Sequence, residues 1–237
     1  MRRFFGNIVK NTPVFSDESL KHIKVIRLNM GENIEFCCNS KIYICQVTKL
    51  KPFEAKIIDD VTEKVNRELQ YNLVLFCPLL KRENFELVIQ KATELGVKEI
   101  YPYLSSRVIK RISKQEFELR RERFEKILLN ASEQSNRTII PKLYPLEDFN
   151  KLSGLYKDSS NKFIAYEDEA LKGQKISIEK SDSKNIVFVF GPEGGFSKEE
   201  VDLYKDNGFK IVSLGKRILR AETAAFYGLS CIDYLIE

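Results

Sequence analysis

Ile186-Val187-Phe188-Val189-Phe190-Gly191-Pro192-Glu193-Gly194-Gly195-Phe196 is the stretch whose reading decides the fold of this 237-residue chain. Its apolar run is short and rich in β-branched and aromatic residues, as a buried strand is, and the glycine-bearing loop leads on into a helix-like segment. The same grammar recurs nearby. Phe209-Lys210-Ile211-Val212-Ser213 is followed by Leu214-Gly215-Lys216-Arg217-Ile218-Leu219-Arg220-Ala221-Glu222-Thr223. Two such units in succession predict that both loops lie at the C-terminal edge of a parallel sheet, where open α/β proteins bind ligands.

Working outward, strand and helix signals alternate from Tyr71 onward. Tyr71 to Cys77 reads as a strand; Phe85, Val88, Ile89, Ala92 and Leu95 fall at helical spacing, with Gly96 as the stop. Val97 to Tyr101 and Phe163 to Tyr166 read as further strands. Phe117, Phe124, Ile127, Leu128 and Ala131 mark one face of a single long helix. Ser197 and Glu200 form a capping box for the helix after the first glycine loop. Ala221, Ala224, Ala225, Gly228, Leu229 and Ile232 make a small-residue face on the last helix, suited to close approach by the chain's own backbone or a second subunit's. The pattern predicts an open parallel sheet.

The first part of the chain reads differently. From about residue 15 to 69, short apolar segments such as Val25-Ile26-Arg27-Leu28, Ile34 to Cys37 and Ile42 to Val47 alternate with turn material, and no helix stands out. This predicts a small β-barrel over residues 1–69, with Asp59 to Gln70 as a linker, and an α/β domain over residues 70–237.

Composition narrows the class. At 43% hydrophobic and 31% charged, with no apolar run long enough to span a membrane, the chain reads as an ordinary soluble protein. Its basic start lacks the apolar core of a signal peptide, so a cytoplasmic location is expected. The five cysteines are odd in number and never form a C-x-x-C spacing, and His22 is the only histidine. Buried reduced thiols and no metal are the expectation.

The net charge of +5 is a mild excess, but its distribution is informative. Arg2 and Arg3 stand beside Phe4 and Phe5; Lys21, Lys24 and Arg27 surround His22; and Arg107, Lys110, Arg111, Lys114, Arg120, Arg121 and Arg123 form a third group. Basic residues interleaved with aromatics suit phosphate contact and base stacking, or else a merely solvated surface.

Gly194 and Gly195 remove Cβ at adjacent positions, which permits positive φ and close contact between a ligand and the backbone. The loop lacks the Gly-Lys-Ser/Thr ending of a P-loop and is no G-x-G-x-x-G fingerprint. Glu193 would repel a phosphate. A ligand with hydroxyls, an amine or a positive centre fits better than a pyrophosphate.

Taken together, the two loops resemble the signature loops of the RsmE-type members of the SPOUT class of RNA methyltransferases. Glu86 through Gln90-Lys91-Ala92-Thr93-Glu94-Leu95-Gly96-Val97, Glu133-Gln134-Ser135-Asn136-Arg137 and the N-terminal Arg2-Arg3-Phe4-Phe5 with His22 to Arg27 agree, in the expected order over nearly the whole chain. The resemblance implies a PUA-like RNA-binding barrel, a SPOUT domain with a deep trefoil knot, a homodimer, S-adenosylmethionine as methyl donor, and N3 of one uridine in 16S ribosomal RNA of the small subunit as acceptor. Donor contacts are expected from Tyr166, Phe190, Gly191, Gly194, Gly195, Leu214, Gly215, Ile218, Leu219, Ala221 and Ala224. RNA contacts are expected from Arg2, Arg3, Phe4, His22, Arg27, Arg107 and Arg137, with Glu133 and Arg137 bracing the site. The segment Tyr166-Glu167-Asp168-Glu169 and Lys216 depart from the family pattern.

Uridine N3 carries a proton and is a poor nucleophile until it is lost. A cation at the O2 or O4 edge would stabilise the resulting anion, by the logic of an oxyanion hole. Arg220 is the first candidate and Arg217 the second, while Glu222 is the candidate proton acceptor or arginine-orienting group. Two other readings use the same residues: a ribose 2′-O methyltransferase, and a non-catalytic RNA-binding assembly factor.

Overall fold

The computed structural model describes residues 1–107, 112–167 and 174–236, and of Arg82 the backbone alone. Lys110, Arg111, Asp168 and Glu169 lie outside the described residues. The chain divides into two compact units. Met1–Glu68 with Leu129–Ile140 form one, and Leu69–Leu128 with Pro141–Glu237 form the other.

The first unit contains β1 (Arg3–Val9), β2 (Thr12–Phe15), α1 (Asp17–Val25), β3 (Asn33–Cys38), β4 (Lys41–Leu50), β5 (Phe53–Asp60) and α2 (Thr62–Val65). The strands run β2-β1-β3-β4-β5, with β1 and β3 parallel and the other pairs antiparallel. The outer strands meet where Phe15 packs edge-on against Phe53 at 5.1 Å, so the sheet is a nearly closed barrel around Phe4, Ile34, Phe36 and Cys45. Asn39 and Ser40 both take positive φ (50° and 61°), the backbone that a tight hairpin between β3 and β4 requires.

The helix α1 corrects the all-strand expectation. The Ser16 side chain accepts from the Ser19 N–H, Asp17 and Glu18 occupy the first turn, and Ile23 is buried. A capped, dipole-matched start with apolar residues at helical spacing outweighs the β-branched content of Val25 and Ile26. Val25 to Leu28 is therefore the end of that helix and a turn, with Arg27 at φ 49°. The expected linker from Asp59 likewise holds the end of β5 and α2.

The second unit contains β6 (Asn72–Pro78), α3 (Arg82–Glu94), β7 (Glu99–Leu104), α4 (Lys114–Glu118), α5 (Arg121–Gln134), β8 (Lys142–Leu143), β9 (Glu147–Asp148), α6 (Phe149–Leu152), β10 (Asn161–Ala165), β11 (Asn185–Val189), α7 (Lys198–Asp206), β12 (Lys210–Val212) and α8 (Ala221–Ile236). The division at Leu128 falls within α5. The strand order is β12-β10-β11-β6-β7-β8, with β9 also on β7, and every pair is parallel. Leu73, Leu75 and Phe188 bury one face of the sheet with α3 and α8, while Val74, Phe76, Val187 and Val189 bury the other with α6 and α7. Covering both faces explains why the strands read as unbroken apolar runs.

Two helix expectations change. The single long helix is two, because α4 carries its own capping box from Ser113 and Glu116 and stops at Leu119, which is exposed. The small-residue face of α8 turns into its own domain. A Cβ on Gly228 would meet the Phe188 ring at 2.1 Å, so that glycine serves internal packing.

Candidate active site

Three strands deliver their C-terminal ends to one place. β10 leads into Tyr166 and Glu167, β11 into the segment Phe190 to Gly195, and β12 into Ser213 through Arg220 at the start of α8. Together with Lys81 and Asn84 at the start of α3, they enclose a cavity of about 550 Å³. A cavity of that size at this edge of a parallel sheet is suited to a small organic ligand.

Local chemistry shapes each wall. The Gly195 N–H donates to the Pro192 carbonyl at 2.9 Å, closing a turn, and Gly195 sits at φ 67°, where a side chain is strained. A Cβ there would also lie 2.3 Å from Glu167 Oε1. The buried Tyr103 hydroxyl donates to the Phe190 carbonyl at 2.5 Å and anchors the start of the loop. Its far end is fixed by the capping box of α7: Glu200 N–H donates to Ser197 Oγ and Ser197 N–H to Glu200 Oε2. Gly215 takes φ 110° with open space where a Cβ would stand.

The lining mixes two kinds of surface. Ala165, Phe190, Leu214, Leu219, Ala221 and Ala224 are apolar, whereas Glu167, Glu193 and Glu222 bring carboxylates and Arg217 and Arg220 bring guanidiniums. Both arginines are exposed, and among the described residues neither has an ion-pair partner. Apolar and backbone surface suits a purine nucleoside, and the carboxylates suit its hydroxyls or a positive centre.

The expected donor and catalytic residues therefore meet in one cavity, Gly194 excepted. Its missing Cβ faces the Arg107 carbonyl, 2.7 Å from where that atom would be, so Gly194 admits a neighbouring loop instead of lining the cavity. Lys81, Asn84, Ala165, Pro192, Glu193, Glu167 and Ser213 line it without having been assigned to donor contact. For Lys81 and Asn84 the signal was available: they follow the first strand of the parallel unit, so topology brings them to the same edge.

Three expected RNA contacts are corrected in the barrel. Phe4 is fully buried and offers no ring to a base. Arg3 is 2% exposed, pairs with Glu35 at 2.7 Å and donates to the Asn136 carbonyl. Arg137 is 4% exposed and donates to Glu68 Oε2 at 2.8 Å, while Thr138 and Ile139 N–H groups bind the other oxygen. Burial opposes ionisation of Glu68, but the Arg137 guanidinium and these N–H groups outweigh it and hold its carboxyl below the usual range. Glu133 is committed elsewhere, accepting from Ser19 Oγ at 2.6 Å and lying 3.2 Å from His22 Nδ1. Arg2 and Arg27 are exposed and His22 is half-exposed, as phosphate contact requires; Arg107 is exposed in the second unit.

The RNA methyltransferase domain model matches residues 67–233. The chain is 35% identical to the ribosomal RNA small subunit methyltransferase E of Mesomycoplasma hyopneumoniae, covering 98% of this chain and 99% of that one. It is 32% identical to the protein of the same name from Bacillus subtilis, over 100% and 98% of the two chains. Among solved structures, the ribosomal RNA small subunit methyltransferase E of Neisseria gonorrhoeae bound to S-adenosyl methionine superposes with a TM-score of 0.87 at 29% identity, covering 99% and 98%.

Proposed function

Because this chain belongs to the RNA methyltransferase family, we propose that it is an S-adenosylmethionine-dependent enzyme that methylates N3 of one uridine in 16S ribosomal RNA. The observation that carries the reading is the cavity of about 550 Å³ in which the ends of β10, β11 and β12 converge. Its residues fit the donor. Gly191, Gly195 and Gly215 line the cavity, with open space beside Gly215 where a Cβ would stand; Phe190, Leu214, Leu219, Ala221 and Ala224 supply apolar walls for an adenosine, and Tyr166 lies beside them. Glu167 and Glu193 suit hydroxyls, an amine or a sulfonium. When bound, the donor supplies an electrophilic methyl on a sulfonium, and the protein's task is alignment.

The acceptor needs more help. Arg220, at the mouth, stabilises the negative charge that spreads to O2 and O4 as N3 loses its proton, and Arg217 supports it. Glu222 takes that proton as general base. Glu222 stands in the first turn of α8, two residues after Arg220 and on the same cavity wall. Arg2, His22, Arg27 and Arg107 hold the RNA by its phosphates and bases.

The reading extends to a trefoil knot in the second unit, residues 1–69 as an RNA-binding domain and 70–237 as the methyltransferase domain, and a homodimer acting on the small ribosomal subunit in the cytoplasm. Exposed Tyr227, Tyr234 and Leu235 on the outer face of α8 support an isologous contact there.

Thermal melting tests the donor assignment. S-adenosylmethionine or its demethylated product at a hundredfold excess over Kd should stabilise the chain by about 2.7 kcal/mol, whereas ATP and NAD should not. Gly195→Val should abolish the shift. Stabilisation by ATP with none by S-adenosylmethionine would refute the assignment.

A further inference from the structure

Beyond Leu104, the end of β7, the chain runs through Ser105 and Ser106 along the same C-terminal edge of the sheet. A second cavity, of about 450 Å³, opens there among Ser105, Asp148, Asn150, Ser197 and Glu199. Ser105 is 4% exposed, and its Oγ has no hydrogen-bond partner among the described residues. An unpaired buried hydroxyl costs stability, so its presence in a cavity wall points to a partner that enters from outside.

The other groups define that partner. Glu200 is fully used, accepting from Ser106 N–H at 2.8 Å and Ser197 N–H at 2.9 Å. Glu199 and Asp148 bring the remaining carboxylates, with Lys151 3.5 Å from Asp148 Oδ2. Hydrogen bonds from its own N–H and from Ser197, with Arg107 nearby, hold Glu199 below the usual carboxylate range. Two carboxylates facing one cavity disfavour phosphate and accept readily from an N–H₂ group.

Position supplies the source. Phe190 to Gly195 wall the first cavity, Ser197 walls the second, and the Arg107 carbonyl packs where Gly194 has no Cβ. One loop, Phe190 to Ser197, therefore contributes a wall to both cavities. We propose that the second cavity takes an amino-bearing base of the substrate RNA, adenine, guanine or cytosine, with its amine on Asp148 and Glu199 and a ring acceptor on Ser105 Oγ; this rests on the RNA methylation reading. Single-stranded RNA is commonly read in this way, on base edges splayed into protein pockets.

The test follows the backbone amide signals of Ser105, Ser106 and Ser197 in the full chain as 5′-AMP, 5′-GMP, 5′-CMP, 5′-UMP or inorganic phosphate is added to millimolar concentration. Saturable shifts with AMP, GMP or CMP are expected, and none with UMP or phosphate. The double substitution D148N/E199Q should weaken binding roughly tenfold or more. Ser105→Ala should weaken binding while raising the melting temperature, since it removes the unpaired hydroxyl; a serine that merely packs would give the reverse on stability. No shift, equal shifts with UMP or with phosphate, or binding that survives the substitutions overturns the proposal. A chain stabilised by S-adenosylmethionine but silent to nucleotides keeps the methyltransferase reading and loses this one, whereas a chain that binds the nucleotides but not S-adenosylmethionine loses the methyltransferase reading and, with it, the assignment of the base to a substrate RNA.

Discussion

Arg3 and Arg137 are buried beside carboxylates, whereas Arg2, Arg27, Arg217 and Arg220 reach solvent. Nothing in their flanking residues separates the two groups, because what distinguishes them is a distant partner: Glu35 for Arg3 and Glu68 for Arg137. The candidate site's chemistry was thus legible in residue type, but its burial was not. Removing Arg137 leaves an uncompensated buried carboxylate, so Arg137→Ala should cost about 3–5 kcal/mol in denaturant unfolding. The depressed Glu68 carboxyl sets the sign with pH: the pair's contribution is whole above the ordinary carboxylate range and is lost as pH falls through the folded-state value. The wild type and the variant should therefore converge in stability in acid. Among the exposed arginines, Arg220→Ala should lower the single-turnover methylation rate roughly a hundredfold with RNA affinity nearly unchanged. Arg2→Ala with Arg27→Ala should instead weaken RNA binding and reduce its salt slope by about one unit per lost phosphate contact. A normal rate for the Arg220 variant at saturating RNA would move the chemistry to Arg217 or Glu222.

At the scale of elements, loops and caps were the readable part. The capping box at Ser197 and Glu200 and the strand before Gly191 follow from local rules, and both form as expected. Ser16, Asp17 and Glu18 carry the start signal of α1, but Val25 and Ile26 at its end are β-branched and read locally as strand, so the helix is legible from its cap and not from its apolar run. Gly228 shows the other limit. A small-residue stripe states that something approaches closely, and only the folded chain identifies it as Phe188. The proposed dimer would use the opposite face of α8, and light scattering at micromolar concentration should then find a dimer. Tyr234→Glu, at a position 84% exposed in the chain, should shift it toward monomer without lowering the monomer's own stability.

On the scale of the whole molecule, alternation of strand and helix signals pointed to the parallel sheet, and short strands between turns pointed to the barrel. What alternation could not reveal is that Leu129–Ile140 belongs with the barrel unit, since Glu133 reaches Ser19 and Arg137 reaches Glu68 only after folding. The central claim is that one base nitrogen of ribosomal RNA is the acceptor. Mass mapping of 16S ribosomal RNA, taken from small subunits incubated with the protein and S-adenosylmethionine, tests it most directly. The prediction is a single added methyl on the base of one uridine, at N3, formed roughly a hundredfold more slowly by the Arg220→Ala variant under single-turnover conditions. A methyl on ribose, or no added mass from a chain shown to bind the donor, would contradict it.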